Sequence, residues 1–493
     1  MDNKIELKEK RIALLAIIII MFTLVVLTGS LTSGYHLVDD HCLYDIADKI
    51  SSDGFASALK SSILNDFGHR FRPLYMVEEV LGTAFFSTHM LLWNFYKLCQ
   101  GIVTAFLLYL VARHLKLSVW WSSIFTAVIM LGPQFRCWNR AANQENTGAF
   151  LLAFAVYSLI KSYLNEKNKI VWRVLFYIAS ILMSLMKESF VIMIPALYLF
   201  EVCLLEEYEL DSANVLLKRF FIPFIKHIWG WGVLAVCCVM EVYVIVSYVG
   251  TNSIGYAGFS KDTKLSDYID GIIISVTDQL KYGVVLLVAA LVLIVYLCYQ
   301  YEISFEKMIS KLLLFGYIFI SQLVLYAKSG MMERYLMPWV VSIAVIAVWG
   351  CGRLTDKVEG DFWVHDYKLA LVIYVFIVAI ISFNGSVSWA KEAPTGKEGF
   401  LSNVCNYSHE GDEIAIYGMD GEHLDSSVVW LNHRGMNAYN ASDIDGADDG
   451  FNADTLLIKG DATEVISKYG YDLNDYYQYV WVNDDYSIWR PIE

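Results

Sequence analysis

Stretches of about 20 apolar residues recur along most of this chain, separated by shorter polar segments. A helix needs roughly 20 residues to cross the hydrocarbon core of a bilayer, so each stretch predicts a membrane-spanning helix. The pattern predicts an all-α polytopic membrane protein with about eleven transmembrane helices. They are expected at residues 12–31, 93–112, 118–133, 148–164, 171–186, 189–205, 228–249, 282–300, 312–327, 336–351 and 369–383.

Two polar segments interrupt this pattern. Residues 32–92 are predicted to form a large loop that contains interfacial helices near 43–63 and 74–86. Residues 385–493 are predicted to form a small α/β domain, which leaves 1–384 as the transmembrane domain. The elements expected in the C-terminal domain are strands at Glu413–Tyr417 and Thr455–Ile458, a helix at Thr463–Tyr469, and a hairpin of Tyr479–Val482 with Ser487–Arg490.

The distribution of basic residues predicts the orientation in the membrane. Four basic residues lie between Lys4 and Arg11, and others recur in the short loops expected on the same side, which favours a cytoplasmic N-terminus. The first apolar run is long and Leu31-Thr32-Ser33 lacks a small-residue cleavage pattern, so it is interpreted as a membrane helix and not as a signal peptide. An odd number of spans then places the C-terminal domain outside the cell membrane.

Composition supports this class and excludes others. The chain has 493 residues, of which 57% are hydrophobic and 18% are charged, whereas a soluble protein carries about 25% charge. From residue 385 to the end there are 6 basic and 20 acidic residues, which account for the whole net charge of −14. This acidic C-terminal part of the chain argues against nucleic acid as a partner, because nucleic acid binding needs a basic surface. The nine cysteines show no metal-type spacing, so they are interpreted as small apolar residues.

Four charged groups are expected on the outer face of the membrane. Ionisable residues at the mouth of a membrane helix are costly to desolvate and are therefore candidates for function. A carboxylate beside cations at a bilayer surface suits the transfer of a sugar from a lipid phosphate: the cations hold the phosphate, and the carboxylate takes a proton from the acceptor hydroxyl. The groups are Asp39-Asp40, Arg70 with Arg72-Pro73-Leu74, Lys187-Glu188, and Glu333-Arg334.

The order of these motifs resembles that of the GT-C superfamily, the polytopic glycosyltransferases that use polyprenyl-phosphate sugars. Its members have an acidic pair after the first membrane helix, here Asp39-Asp40. Many also have an Arg-Pro-Leu element in the first large loop, here Arg72–Leu74, and a Lys-Glu pair at an outer helix end, here Lys187-Glu188. A late Arg-Tyr-Leu-x-Pro element is matched by Arg334–Pro338. The resemblance covers roughly residues 10–385.

The resemblance implies inverting sugar transfer onto a glycan, lipid or protein acceptor at the outer membrane face, as in mannosyltransferase-like enzymes of the cell envelope. Asp39 or Asp40 would be the general base, with a slight preference for Asp39. Glu188 would orient Lys187 or bind sugar hydroxyls, and Arg70 is a weaker candidate for the same region. In some branches an acidic residue binds a divalent metal, so the cofactor is left open. The phosphate of the donor would contact Arg72, Lys187 and Arg334.

Structural interpretations of the same residues remain open. Asp39-Asp40 fits a helix cap at the lipid–water boundary, and Arg72 fits an interfacial anchor before Pro73. Lys187 and Arg334 fit side chains that reach towards lipid headgroups. At the level of function, the alternatives are a polysaccharide polymerase and a flippase or transporter of lipid-linked sugars. Transporters often show internal repeats and charges in mid-membrane, and neither is visible in this sequence.

Overall fold

Helices form most of the computed structural model, which describes residues 2–208, 216–249, 264–303, 305–327, 331–355, 358, 361–396, 399–441, 453–467, 473, 477–483 and 485–492. The first helices in chain order are α1 (Asp2–Leu27), α2 (His41–Asp53), α3 (Phe55–Phe67), α4 (Pro73–Phe86), α5 (Met90–His114), α6 (Val119–Met130), α7 (Gln144–Leu164) and α8 (Lys169–Ser184). They are followed by α9 (Glu188–Tyr208), α10 (Leu216–Lys226), α11 (Ile228–Val249), α12 (Leu265–Ile274), α13 (Lys281–Gln300), α14 (Glu306–Tyr326), α15 (Met337–Thr355) and α16 (Phe362–Lys391).

Each of the eleven predicted spans corresponds to one of these helices. Nine helices in the described part of the chain are long and apolar enough to cross a membrane. The other two predicted spans fall on α6 and α8, which have 12 and 16 residues and are shorter than the roughly 20 residues that a span requires. The fold class is thereby confirmed as a polytopic helical membrane protein, whereas the count of eleven spans stays a prediction.

Helix α15 lies at the centre of the bundle. In its most apolar stretch 89% of the residues are buried, against 11% in the corresponding stretch of α1. Trp339 and Trp349 of α15 are fully buried, and the Trp339 ring stacks on Phe319 of α14 at 3.9 Å between ring centroids. A helix that is apolar on all sides suits burial in a bundle or contact with lipid, and α15 and α1 represent these two cases.

Helices α1 and α5 run antiparallel and define the two ends of the bundle. At one end Asn94 near the start of α5 donates to the carbonyl of Ser30, 3.3 Å away. At the other end Arg113 near the end of α5 pairs with Glu9 of α1 at 2.8 Å. We call the first of these the polar end, because the loop after α1, helices α2–α4 and the N-terminus of α7 lie there. We call the second the basic end. It also holds Lys311 and Arg353, which both pair with Glu207. Lys311, Arg353 and Glu207 all lie near the ends of their helices.

The large polar loop predicted at 32–92 folds as helices α2, α3 and α4 at the polar end. The two predicted interfacial helices correspond to α2 with α3 and to α4. Helix α4 begins with Pro73, whose fixed φ and missing N–H suit the first turn of a helix. Glu78 and Glu79 in the middle of α4 are both largely shielded from solvent, and Glu79 is only 2% exposed.

The C-terminal part of the chain folds around a five-stranded sheet. It consists of α17 (Phe400–Tyr407), β1 (Glu413–Tyr417), α18 (Gly421–Asn432), β2 (Asn437–Asn440), β3 (Thr455–Lys459), α19 (Ala462–Ser467), β4 (Tyr477–Val482) and β5 (Tyr486–Pro491). The strand order is β2-β1-β3-β5-β4, in which β1 pairs in parallel with β2 and β3, whereas β5 is antiparallel to β3 and β4. The predicted strands and hairpin are present, while β2, α17 and α18 were not predicted. The domain boundary at 384/385 falls inside α16 and stays a prediction.

Helix α18 packs against the membrane part of the chain at its polar end. Trp430 of α18 belongs to the same apolar cluster as Tyr35 in the loop after α1 and Tyr44 in α2. The Tyr35 and Tyr44 rings meet edge to face at 5.1 Å. The C-terminal domain is therefore in direct contact with the segment that carries Asp39 and Asp40.

Candidate active site

Asp39 lies in the loop between α1 and α2 and forms an ion pair with Arg334. Its Oδ2 atom is 2.6 Å from Nη1 of Arg334, which lies in the short turn Glu333–Tyr335 before α15. The Asp39 side chain is 32% exposed, so it is partly accessible to solvent. The backbone of Asp39 is left-handed, with φ of 70°, a conformation that few residues other than glycine adopt.

Asp40 is buried and has a different environment. Its Oδ2 accepts a hydrogen bond from the His36 N–H at 2.9 Å, and its Oδ1 accepts one from the Ala142 N–H at 3.4 Å. Burial raises the pKa of Asp40 to about 7, although these hydrogen bonds act in the opposite direction. Asp40 therefore ties the loop after α1 to the segment before α7, while the carboxylate of Asp39 is the more accessible of the two.

The raised pKa of Asp40 predicts a pH-dependent contribution to stability. The unfolded chain releases this proton near pH 4, whereas the folded chain holds it up to about pH 7. Between these values the folded state binds more protons, so the free energy of unfolding falls as pH rises through the window. The melting temperature of the wild-type protein in detergent should fall more between pH 5 and pH 8 than that of Asp40→Asn. Equal pH dependence of the two proteins would contradict this assignment.

Lys187 and Glu145 form a buried ion pair beside Arg334. Both residues are 5% exposed, and Nζ of Lys187 bonds Oε1 of Glu145. Lys187 also lies over the ring of Tyr335 at 3.7 Å from its centroid, so the residue after Arg334 is in contact with the Lys187 cation. The Tyr335 ring in turn stacks on Tyr326 at 4.8 Å. Glu145 was not among the sequence-predicted site residues, yet it is the carboxylate that contacts Lys187.

Arg72 reaches the same region from the start of α4. Its Nε is 2.9 Å from Oδ1 of Asp66, and its Nη1 donates to Oε1 of Gln144 at 3.1 Å. Gln144 and Glu145 are the first two residues of α7, so the N-terminus of this helix contacts both Arg72 and Lys187. The predicted cations Arg72, Lys187 and Arg334 are therefore brought together, each already paired with a carboxylate of the chain.

Glu188 and Arg70 occupy the edge of this arrangement. Oε1 of Glu188 accepts the N–H of Phe71 at 3.0 Å, which fixes the turn before Arg72 to the start of α9. Arg70 is half-buried in the same turn. The hydrogen bond described for Glu188 is thus with the turn before Arg72, and its roles towards Lys187 and a sugar stay predictions.

Arg140 is a further cation at this end of the bundle, and its guanidinium pairs with no carboxylate in the described part of the chain. The guanidinium of Arg140 lies over the ring of Trp389 in α16, 3.8 Å from its centroid, and the His36 ring stacks on the same residue at 4.1 Å between ring centroids. The Nε atom of Arg140 is buried without a hydrogen-bond partner among the described residues. Burial and the nearby charge of Arg334 both lower the pKa of Arg140, so a bound anion would relieve an unfavourable environment. The sequence signal was the spacing Arg136-x-Trp138-x-Arg140, which is also typical of an interfacial aromatic anchor.

A cluster of buried polar side chains holds the start of α7 in place. Oε1 of Glu78 accepts from Nζ of Lys97 at 2.9 Å and from the hydroxyl of Thr147 at 2.6 Å. Lys97 also donates to the carbonyl of Asn143 at 3.1 Å, immediately before Gln144. Through these contacts α4 and α5 fix the start of α7, which carries the partners of Arg72 and Lys187.

Comparison with solved structures identifies the fold of the chain. No protein-family model and no curated protein matches the sequence. Among solved structures, ArnT from Cupriavidus metallidurans in the apo state matches with a TM-score of 0.54 and 13% sequence identity, over 96% of this chain and 98% of ArnT. ArnT is a GT-C glycosyltransferase. The chain has the GT-C fold.

Two other structures were matched with lower TM-scores. ArnT bound to undecaprenyl phosphate gives 0.48 at 11% identity, again over 96% of this chain and 98% of ArnT. The arabinofuranosyltransferase AftD from Mycobacteria gives 0.49 at 12% identity, over 97% of this chain and 40% of AftD. The match to apo ArnT alone carries the conclusion that the expected GT-C fold is confirmed. The roles of the residues in the motifs Asp39-Asp40, Arg72–Leu74, Lys187-Glu188 and Arg334–Pro338 stay predictions.

The described residues offer no obvious metal centre in this GT-C fold. They contain no group of three or more His, Cys, Asp or Glu side chains that could share a metal ion. Of the two predicted candidates, Asp39 pairs with Arg334, and Asp40 accepts backbone N–H groups. In these contacts the two carboxylates do not share a set of metal ligands, and the divalent metal that the sequence left open stays a prediction.

Proposed function

We propose that this chain is an integral-membrane glycosyltransferase that moves a sugar from a polyprenyl-phosphate donor to an acceptor at the outer membrane face. The observation that carries the proposal is the ion pair of Asp39 with Arg334, beside the guanidinium of Arg140, which pairs with no carboxylate among the described residues. A partly exposed carboxylate and a nearby cation that is free to bind phosphate, at one end of a membrane bundle, are the two groups that this reaction needs. The GT-C fold supports the same class of enzyme.

In the proposed reaction Asp39 is the general base. The acceptor hydroxyl gives its proton to Asp39, and its oxygen forms a bond to the anomeric carbon of the donor. The bond between that carbon and the phosphate oxygen breaks, and both electrons leave with the phosphate. Such a direct displacement inverts the anomeric centre. Arg334 holds Oδ2 of Asp39 and leaves Oδ1, which has no described hydrogen bond, to face the acceptor.

Arg334 couples the two halves of this reaction. In the resting site its charge is balanced by Asp39, 2.6 Å away, and in part by the nearby carboxylate of Glu145, which also pairs with Lys187. When Asp39 takes the proton it becomes neutral, and the Arg334 charge is then available to the phosphate that develops negative charge as it leaves. The interaction therefore strengthens in the transition state, which is the condition for an interaction to accelerate the chemical step.

Arg140 is the group best suited to hold the donor phosphate before reaction. Arg72 and Lys187, which the sequence assigned to this task, already pair with Asp66 and Glu145. Arg140 has no such partner among the described residues, and guanidinium groups bind phosphate oxygens in a bidentate manner. In this proposal Arg140 makes the first contact with the phosphate, and Arg72 and Lys187 contribute positive potential.

The proposed orientation places the polar end and the C-terminal domain outside the cell membrane. It is supported by Arg113, Lys311 and Arg353, which lie at the opposite end of the bundle where basic residues mark the cytoplasmic side. The enzyme would then act on the cell envelope, with membrane lipids around it and a glycan, lipid or protein as acceptor.

An apolar cavity inside the bundle and the acidic pair after α1 favour sugar transfer over transport or polymerisation. A cavity of about 70 Å³ inside the bundle is lined almost entirely by apolar side chains of α5, α6, α7, α9, α14 and α15, such as Phe200 and Trp349. Such a lining offers a sugar almost no hydrogen bonds, so this cavity does not suit the sugar headgroup of a flippase substrate. A polysaccharide polymerase would use the arginines but has no special need of the acidic pair after α1.

The proposal is tested by incubating the purified chain in liposomes with a polyprenyl-phosphate sugar that carries a radiolabel on its sugar. A lipid extract of the native envelope serves as the acceptor. A labelled product together with unlabelled polyprenyl phosphate is expected. Label that crosses the bilayer while remaining on its polyprenyl phosphate would identify a flippase and reject the proposal.

The variant Arg140→Gln should weaken binding of polyprenyl phosphate by about 10-fold or more, because it removes a charge-assisted bidentate contact. Binding of the unphosphorylated polyprenol should not change. Lys391→Gln is a matched control, since it removes an exposed positive charge two residues from Trp389. If Arg140→Gln and Lys391→Gln bind the phosphate equally well, Arg140 is not the phosphate ligand.

A further inference from the structure

The C-terminal domain is hydrogen-bonded to the loop that carries Asp39. Oε1 of Glu422, in the first turn of α18, accepts the backbone N–H of Asp39 at 2.9 Å. One turn further along α18, the hydroxyl of Ser426 bonds the carbonyl of Leu37 and Nδ1 of His41. The hydroxyl of Tyr35 donates to the Ser426 carbonyl at 2.8 Å. A single helix of the C-terminal domain thus contacts the loop before, at and after Asp39.

This loop needs support from outside because of its backbone conformation. Asp39 has φ of 70°, in the left-handed region, which aspartate and asparagine enter more readily than most residues but still at a cost relative to the right-handed region. A residue persists in such a conformation only when the surrounding structure fixes it. Asp40 anchors the loop on one side through His36 and Ala142. Glu422 is the side chain that bonds the N–H of Asp39 itself.

We propose that α18 positions the general base, with Glu422 and Ser426 as positioning residues that hold Asp39 in its left-handed conformation towards Arg334. This inference rests on the proposed function of Asp39. It makes the C-terminal domain a structural part of the active site, since the geometry of the base is complete only when α18 is docked.

The contact with Glu422 acts through its hydrogen bond and not through its charge. Glu422 is exposed, so solvent screens its negative charge. A glutamine at this position has a carbonyl oxygen that can accept the same N–H, whereas an alanine has no acceptor. The pair of variants Glu422→Gln and Glu422→Ala therefore separates the hydrogen bond from the charge.

The test compares sugar transfer by the full-length chain and its variants in liposomes. Glu422→Ala should lower kcat by about tenfold, because a small misplacement of a catalytic group is enough for such a loss. Its KM for the donor should stay within about twofold, since the phosphate contacts are unchanged. Glu422→Gln should behave as the wild type. Asp425→Ala is the matched control, because it removes another exposed carboxylate from the same helix.

Hydrogen exchange of the peptide that contains Asp39 gives a second readout that needs no activity. Exchange should be faster in Glu422→Ala and in Ser426→Ala than in the wild type, Glu422→Gln and Asp425→Ala. Unchanged exchange in both alanine variants, or faster exchange with an unchanged kcat, would overturn the inference. If Asp39→Asn kept full activity, the proposed function of Asp39 would fail, while the exchange data would still report whether α18 holds the loop.

Discussion

Asp39→Asn should lower the rate of sugar transfer by about 10²- to 10⁴-fold, the range that a positioned general base contributes. Asparagine has the shape of aspartate but cannot take the proton of the acceptor hydroxyl. It is also among the few residues that adopt the left-handed conformation readily, so the backbone at φ of 70° should be kept. Its side-chain oxygen can still accept the bond from Arg334. The loss should therefore appear in kcat, while the melting temperature should fall only slightly, because Arg334 loses a charged partner that is partly exposed to solvent.

The matched variant is Asp40→Asn, which distinguishes the two members of the acidic pair. Asp40 is 4% exposed and its oxygens already accept two backbone N–H groups, so it is poorly placed to meet an acceptor. Asp40→Asn should keep at least about a tenth of the activity, because its effect on the base is indirect. A fully active Asp39→Asn with an inactive Asp40→Asn would exchange the two assignments. Full activity of both would reject a catalytic acidic pair.

The membrane architecture could be predicted from sequence because one physical requirement determines it. A helix in lipid must bond its own backbone, and its length is set by the bilayer. All predicted spans therefore correspond to helices, including α15, which is buried by protein, and α1, which is largely exposed. The length of α8, 16 residues, equals that of its predicted span at 171–186, whereas α6 ends at Met130, three residues before the predicted end of its span at 133.

The C-terminal domain was predictable only in part. Strands β1 and β3 were found because their residues form short apolar runs. Strand β2, Asn437–Asn440, has an unremarkable polar sequence and becomes a strand because it pairs with β1. Helix α18 likewise gave no sequence signal for its contact with the membrane domain, since the partners Asp39 and Glu422 are 383 residues apart in the chain.

The candidate site shows the same limit at the level of single residues. Asp39, Lys187 and Arg334 were recognisable because each belongs to a short motif near the end of a predicted span, and Arg72 because it belongs to a short motif in the first large loop. Their partners were not, because pairing depends on how helices approach one another. Glu145 looked like part of a short polar loop, and in the folded chain it is the buried carboxylate that neutralises Lys187. Local sequence thus indicated the charges, and tertiary packing decided which of them are already balanced.

Lys187→Met should lower the free energy of unfolding by about 3–5 kcal/mol, because it leaves the carboxylate of Glu145 buried without its partner. Glu145→Gln should also destabilise the protein, since it leaves the Lys187 cation unpaired. The double variant Glu145→Gln with Lys187→Met contains neither charge, and its side chains are similar in volume to the originals. It should therefore recover most of the stability, measured as the half-life of the folded protein in detergent at a fixed temperature.

The double variant also separates stability from function. If Lys187 contributes positive potential to the donor phosphate, the recovered protein should still bind polyprenyl phosphate more weakly than the wild type, although its fold is restored. Full recovery of both stability and binding would show that the pair is only structural and leave Arg140 and Arg334 to hold the phosphate. A single Lys187→Met variant as stable as the wild type would contradict the buried ion pair itself, since an uncompensated carboxylate that is 5% exposed cannot be without cost.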